Sequence, residues 1–171
     1  MTLDKSFQFN EKHIRSIQKS FTHRFKFKCI LFWQVPVAFL SGLKITELTG
    51  EKCCVTVPYK RLNKNPFRST YWAVLGMAAE MSTGALLIMY TFKQKPSMAT
   101  LIVSCRAEFV KKATDVTTFV CHDGLKIKET LLRAIETNEP QLVECLAMGK
   151  DRQNEPVAQF VFEWSVKARS R

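Results

Sequence analysis

The stretch YWAVLGMAAEMSTGALLIMYTF, Tyr71 to Phe92, decides the fold. It runs for 22 residues with one charge, Glu80, near its middle. Length and polarity alone satisfy the rule for a bilayer-spanning helix. A carboxylate at mid-depth would be costly there and would need a partner. The flanking sequence offers another solution. About six strand-like segments surround the stretch, and their apolar faces need a cover. A helix that is hydrophobic all round is what a curling sheet can wrap. The expectation is therefore a wrapped core helix and no transmembrane span.

Upstream, Asn10 has the chemistry of an N-cap, and Phe9 with Ile14 has the spacing of a hydrophobic staple. Ile14, Ile17, Phe21, Phe25, Cys29 and Phe32 recur at three- and four-residue steps, which predicts one helix that Pro36 ends or kinks. Lys12, Arg15, Lys19 and Lys26 are interspersed, as on a membrane-surface helix. The unbroken run from Phe25 to Leu40 favours packing on the protein's own core instead.

LKITELTGEKCCVTVPY reads as a hairpin turning at Thr49-Gly50-Glu51. LIVSCRAEFVKK and VTTFVCHD read as two strands, KIKETLLRAIETN as a helix, and QLVECLAMG and VAQFVFEWSVKA as two more strands. The order is helix, two strands, long apolar helix, two strands, short helix, two strands.

Composition narrows the class. The 171 residues are 46% hydrophobic and 24% charged, with mean hydropathy −0.09, which suits one folded domain. Net charge is +11 and pI about 9.6. A basic surface can serve nucleic acid, anionic lipid, an acidic carrier protein or a phosphorylated small molecule. No block of five like charges and no zinc-finger spacing exists, so a nucleic-acid partner is not expected. Six cysteines form no C-x-x-C, and only three histidines are present, so no metal site is expected. The N-terminal MTLDKSFQFNEKH lacks an apolar h-region, and the thiols read as reduced, core-filling residues of a cytoplasmic protein.

Helical spacing puts Ala73, Gly76, Thr83 and Gly84 on the face that carries Glu80. Small residues around a lone acid leave room for a strand, a second subunit or a ligand. Glu80 is then either a buried acid satisfied by backbone donors or a base such as Arg68, or an acid set up for chemistry.

The segment NPFRSTYWAVLGMAAEMSTG carries a resemblance. Glu80 lies fifteen residues after Asn65, and Gly84 four after Glu80. In this spacing the chain resembles the hotdog-fold acyl-CoA thioesterases of the phenylacetyl-CoA type, whose motif is N-x-x-G-x-x-H-G-G followed by an acid. EFVKKATDVTTF and EPVAQFVFEWSVK look like the strands after that family's helix. The likeness is nearest to a thioesterase-like group with Glu on the helix and an added N-terminal helix.

The resemblance implies an α+β hotdog fold, a curved antiparallel sheet wrapped around a long central helix. It implies a single domain over 1–171, with an N-terminal helical extension over 1–35 and a hotdog core over 36–168. The implied function is hydrolysis of acyl-CoA or acyl-carrier thioesters. Glu80 would be general base or nucleophile, Asn65 would orient water or the thioester carbonyl, and Thr83 would either hold a water or, as is commoner for a helical threonine, bond back to its own helix. Backbone N–H groups of Trp72 and Ala73 would form the oxyanion hole. Arg68, Tyr71, Gly76, Gly84, Lys111 and Lys112 would contact substrate, with coenzyme A present only as part of it. A homodimer or dimer of dimers is implied. The sequence departs from the motif at Arg68, where the family has Gly, and at Tyr71-Trp72-Ala73, where it has His-Gly-Gly. That departure sustains the alternative of an acyl-ligand-binding or regulatory protein without turnover. A membrane-associated protein using the N-terminal helix or Tyr71–Phe92 is the third reading.

Overall fold

The computed structural model describes residues 7–169. Its centre is α4 (Trp72–Thr91), the helix expected from the apolar stretch. Six strands form one antiparallel sheet around it: β1 (Lys44–Leu48), β2 (Cys53–Val57), β3 (Met98–Phe109), β4 (Thr117–Cys121), β5 (Gln141–Lys150) and β6 (Pro156–Ala168). The strand order is β1-β2-β4-β5-β6-β3, so β1 and β3 are the outer strands. Strict alternation in β2 and β4 sends Cys53, Val55, Val57, Phe119 and Cys121 inward onto α4. Twelve of the 20 residues of α4 are buried, which is why the helix is apolar on nearly every side. By length and composition α4 could cross a bilayer, but here its own sheet covers most of it.

The hairpin turn is closed by Thr49 N–H donating to Lys52 O at 2.9 Å. α5 (Gly124–Thr137) buries Ile127, Leu131 and Ala134 at helical spacing. Asp123, just before it, accepts from Leu146 N–H at 2.8 Å and so ties the helix start to β5. Gly124 is required there: a Cβ would lie 2.3 Å from Gly50 O. That contact clamps α5 onto the β1–β2 turn.

The N-terminal region corrects the expectation of one helix. Three occur: α1 (Glu11–Thr22), α2 (Arg24–Gln34) and α3 (Pro36–Ser41). Asn10 caps α1 through Oδ1, as its position suggested, and Phe9 and Ile14 are both buried. The break is His23, which leaves the helical region at φ −79, ψ 111. Its Nδ1 accepts from Lys26 N–H at 3.4 Å, so one residue closes α1 and caps α2. Histidine ends the first helix because its ring nitrogen competes for a backbone donor. The three- and four-residue spacing passes through the break, so spacing alone does not reveal it. Consequently Phe25, Cys29 and Phe32 face outward, while Phe27 and Leu31 face inward. Pro36 stands at the first turn of α3, where its missing N–H costs nothing.

Candidate functional site

Glu80 sits at the middle of α4 and is half-buried. It borders a cavity of about 150 Å³ between α4 and α2, walled by Phe27, Ile30, Leu31, Met81, Gly84 and Ile88, among others. Burial alone raises its carboxyl above the ordinary value, with no charged neighbour or hydrogen bond among the described residues offsetting the effect. Arg68, the base considered as a partner, is exposed and forms no ion pair with it among the described residues. Gly84 makes the carboxylate's space, since a Cβ there would lie 3.0 Å from Glu80 Oε1. Gly76 answers a different need: its Cβ would lie 3.3 Å from the Phe160 ring of β6.

Thr83 does not face open water. Its Oγ1 donates to Glu80 O at 2.9 Å and accepts from Trp164 Nε1–H at 3.1 Å, and the residue is fully buried. The hydroxyl therefore serves its own helix and the β6 contact. Trp164 is a tie between sheet and helix that sequence reasoning missed. An indole pointing inward from the last strand was the available signal, but nothing in the sequence named its acceptor.

The second cluster lies at the start of α4. Asn65 Oδ1 accepts from Phe67 N–H at 3.0 Å, Ser69 N–H at 3.2 Å and Ser69 Oγ–H at 3.2 Å. The loop turns through Arg68 at φ +59, a left-handed conformation that favours glycine. Arg68 O accepts from Tyr59 Oη–H at 3.0 Å, which holds the turn from the other side. A buried Asn63, also missed from sequence, anchors the segment. Its Nδ2 donates to Ser41 O and Pro58 O at 2.9 and 2.7 Å, and its backbone carbonyl accepts from Tyr71 N–H at 2.7 Å.

Tyr71 precedes the helix without a side-chain cap. Its carbonyl accepts from Val74 and Leu75 N–H, which leaves the N–H groups of Trp72 and Ala73 free of backbone partners. Asn65, Ser69, Thr70, Trp72, Lys111 and Lys112 border a cleft of about 260 Å³ at this end. Lys111 is ion-paired with Asp151 at 2.6 Å, while Lys112 is exposed. Tyr71 and Trp72 are exposed beside the cleft, their ring centroids 6.0 Å apart.

One chain thus presents two separate candidate sites. Glu80 and Gly84 belong to the apolar cavity under α2. Asn65, Trp72, Lys111 and Lys112 belong to the polar cleft at the helix start. Eight residues of helix separate Trp72 from Glu80, about 12 Å along the axis.

No family model matches the sequence, and no curated protein matches it. Solved structures do match in three dimensions. A Pseudomonas aeruginosa protein described as a probable thioesterase superposes with TM-score 0.72 at 16% identity, covering 96% of this chain and 100% of that one. A thioesterase from Haemophilus influenzae gives 0.61 at 10% identity, covering 85% and 90%. The E. coli PaaI protein, from the phenylacetic acid degradation operon, gives 0.60 at 12%, covering 88% and 97%. The chain has the hotdog fold. At these identities the likeness establishes architecture, and chemistry must be argued from the site.

Proposed function

We propose that the protein is a thioesterase that hydrolyses acyl thioesters of coenzyme A or an acyl-carrier protein. The observation that carries the reading is the Glu80 carboxylate, unpaired in an apolar cavity at the middle of the wrapped helix. A half-buried acid with no partner among the described residues costs stability, so its presence calls for a use. As general base, Glu80 would take a proton from water while the water oxygen attacks the thioester carbonyl. The tetrahedral intermediate would then expel the thiolate, which recovers the proton. As nucleophile, Glu80 would itself attack the carbonyl, and the tetrahedral intermediate would expel the thiolate to leave a mixed anhydride; water would then open it, giving the free acid and restoring the Glu80 carboxylate. Free N–H groups at a helix start would stabilise the developing oxyanion.

The two candidate sites are too far apart to hold one carbonyl within a single chain. The reading therefore includes a homodimer that brings the helix start of one subunit to the Glu80 cavity of the other. Supporting it, β3 is a 12-residue outer strand that leaves Leu101, Val103 and Phe109 exposed. Such an edge invites pairing with a second copy. The six free cysteines fit a reducing, cytoplasmic setting.

A second reading, acyl-ligand binding without turnover, is favoured by one observation. Asn65 Oδ1 and Thr83 Oγ1 are both occupied by their own surroundings. The test is release of free coenzyme A from short-, medium- and long-chain acyl-CoAs, followed by chromatography, with wild type and Glu80→Gln side by side. A loss of about a hundredfold or more in the variant supports hydrolysis through Glu80. No turnover in either, with acyl-CoA raising the melting temperature, replaces hydrolysis by binding. Equal turnover in both removes Glu80 from the chemistry.

A further inference from the structure

We infer that the outer face of α2, with α3 and the adjoining turn at Arg61–Asn63, is a docking surface for an anionic lipid bilayer. α2 has two apolar faces. The inner one, through Phe27 and Leu31, walls the Glu80 cavity. The outer one has no cover among the described residues: Phe25 is 71% exposed, Phe32 51% and Trp33 81%. α3 continues the surface with exposed Val37 and Leu40, and the Arg61–Asn63 turn packed against it adds Leu62, 72% exposed. Phe32 links the two helices, its ring centroid 5.3 Å from that of Trp33 and 5.4 Å from that of Phe39. Contiguous exposed aromatics of this kind mark an interaction site.

Charge identifies the partner. The sequence has no Asp or Glu between Glu11 and Glu47, and none between Glu51 and Glu80. α2, α3 and the Arg61–Asn63 turn all fall inside these two stretches. Arg24, Lys26, Lys28, Arg61 and Lys64 are exposed there. Of the neighbouring acids, Glu47 on β1 is paired with Lys52 at 3.1 Å, and Glu80 lies on the cavity side of α2. Phe, Trp and Leu interleaved with Lys and Arg, without acids, is the composition of a helix lying in a membrane interface. Tryptophan suits the headgroup boundary, and the lysines suit anionic headgroups. A second copy fits less well. A two-fold contact through this face would set the same basic residues against each other, since a symmetric interface pairs a patch with itself.

The inference stands apart from hydrolysis and is read without it. Full-length protein is sedimented with vesicles of phosphatidylcholine alone, or of phosphatidylcholine with phosphatidylglycerol, over a salt series. Binding to the phosphatidylglycerol vesicles, weakened by salt, is expected, with a blue shift of tryptophan emission that Trp33→Phe removes while Trp72 and Trp164 remain. Lys26→Gln and Lys28→Gln should each weaken it by about fivefold. The double variant Phe25→Ser/Trp33→Ser should abolish it while keeping the wild-type melting temperature, because both side chains are already exposed. Wild type that ignores anionic vesicles overturns the proposal, as does undiminished binding by the folded double variant. A wild-type oligomer that Phe25→Ser/Trp33→Ser dissociates in sedimentation velocity, without vesicle binding, gives the surface to a second copy instead.

Discussion

Gly84→Ala is a direct probe of the geometry around Glu80. Replacing an interior helical glycine by alanine stabilises a helix by about 0.8–1.0 kcal/mol. Against this, the new Cβ would lie 3.0 Å from Glu80 Oε1 and 3.7 Å from Glu80 Cδ and Trp164 Cη2. Only the first contact is too close, and it involves the end of a flexible side chain. Moving that carboxylate off its rotamer costs about 0.5–1.5 kcal/mol. The two terms nearly cancel, so stability should change by no more than about 1 kcal/mol. For a domain of this size that is roughly 2–4 °C in melting temperature.

The obstruction vanishes when the carboxylate is absent. In a Glu80→Ala background, Gly84→Ala should therefore show the full helix-propensity gain of about 1 kcal/mol. The double-mutant cycle, read by urea denaturation, should give a coupling of roughly 0.5–1.5 kcal/mol. If Glu80 acts in hydrolysis, displacing it should also cost about ten- to a hundredfold in turnover with the fold intact. An additive cycle would refute the Glu80–Gly84 contact. A loss of about 3 kcal/mol or more in the single variant would mean that something rigid, not the carboxylate, fills that space.

Three other outcomes are expected. Glu80 has a raised carboxyl in the fold, so as pH rises past about 4 the unfolded chain loses its proton first. Stability due to Glu80 should thus fall as pH rises, and wild type should lose ground to Glu80→Gln in urea titrations from about pH 4 upward until the folded carboxyl has ionised, after which the difference levels off. Asn63→Ala removes two buried donated hydrogen bonds, to Ser41 O and Pro58 O, and should cost about 2 kcal/mol by denaturant midpoint. Iodoacetamide at neutral pH, mapped by peptide mass, should modify exposed Cys29 and leave buried Cys53, Cys121 and Cys145 untouched until the protein unfolds. Burial pushes the Cys53 thiol up, and a hydrogen bond with Cys121 followed by burial does the same for Cys145.

The parts of the fold that could be read from sequence are those with a local cause. The apolar run Tyr71–Phe92 gave α4 because a helix wrapped by its own sheet must be apolar on nearly every side. Thr49-Gly50-Glu51 between two strand-like runs marked the hairpin of β1 and β2. Helical spacing could not report His23, because residues on both sides keep the same three- and four-residue steps while the backbone between them turns. The candidate site divides in the same way. The isolation of Glu80 among small residues was visible along one helix. Its roof of Phe27 and Leu31 comes from about fifty residues earlier in the chain, so no local pattern could announce it. The Thr83 hydroxyl bonds back to its own helix at Glu80 O, a contact its place in a helix makes legible, but the indole it accepts from belongs to Trp164, a residue 81 positions away that no local pattern announces.

The fifteen-residue interval from Asn65 to Glu80 has a structural cause independent of any shared reaction centre. Asn65 needs four following residues to close its turn, because Ser69 N–H must return to Oδ1 and Arg68 must take the left-handed conformation. The helix then begins at Trp72, and Glu80 follows two turns later, where the cavity under α2 reaches α4. Turn closure sets where the helix begins, and the cavity under α2 sets which of its residues can border that space. That explains why Arg68 can stand where a glycine is expected: Tyr59 Oη and the Asn65 turn hold the strained residue in place. It also locates the chemical question. The free N–H groups of Trp72 and Ala73 and the acid of Glu80 lie about 12 Å apart on one helix. A thioester carbonyl needs donors and base within about 3 Å of the same few atoms. Hydrolysis through Glu80 therefore requires donors from outside this part of the chain, and the exposed β3 edge offers the route by which a second copy could bring them.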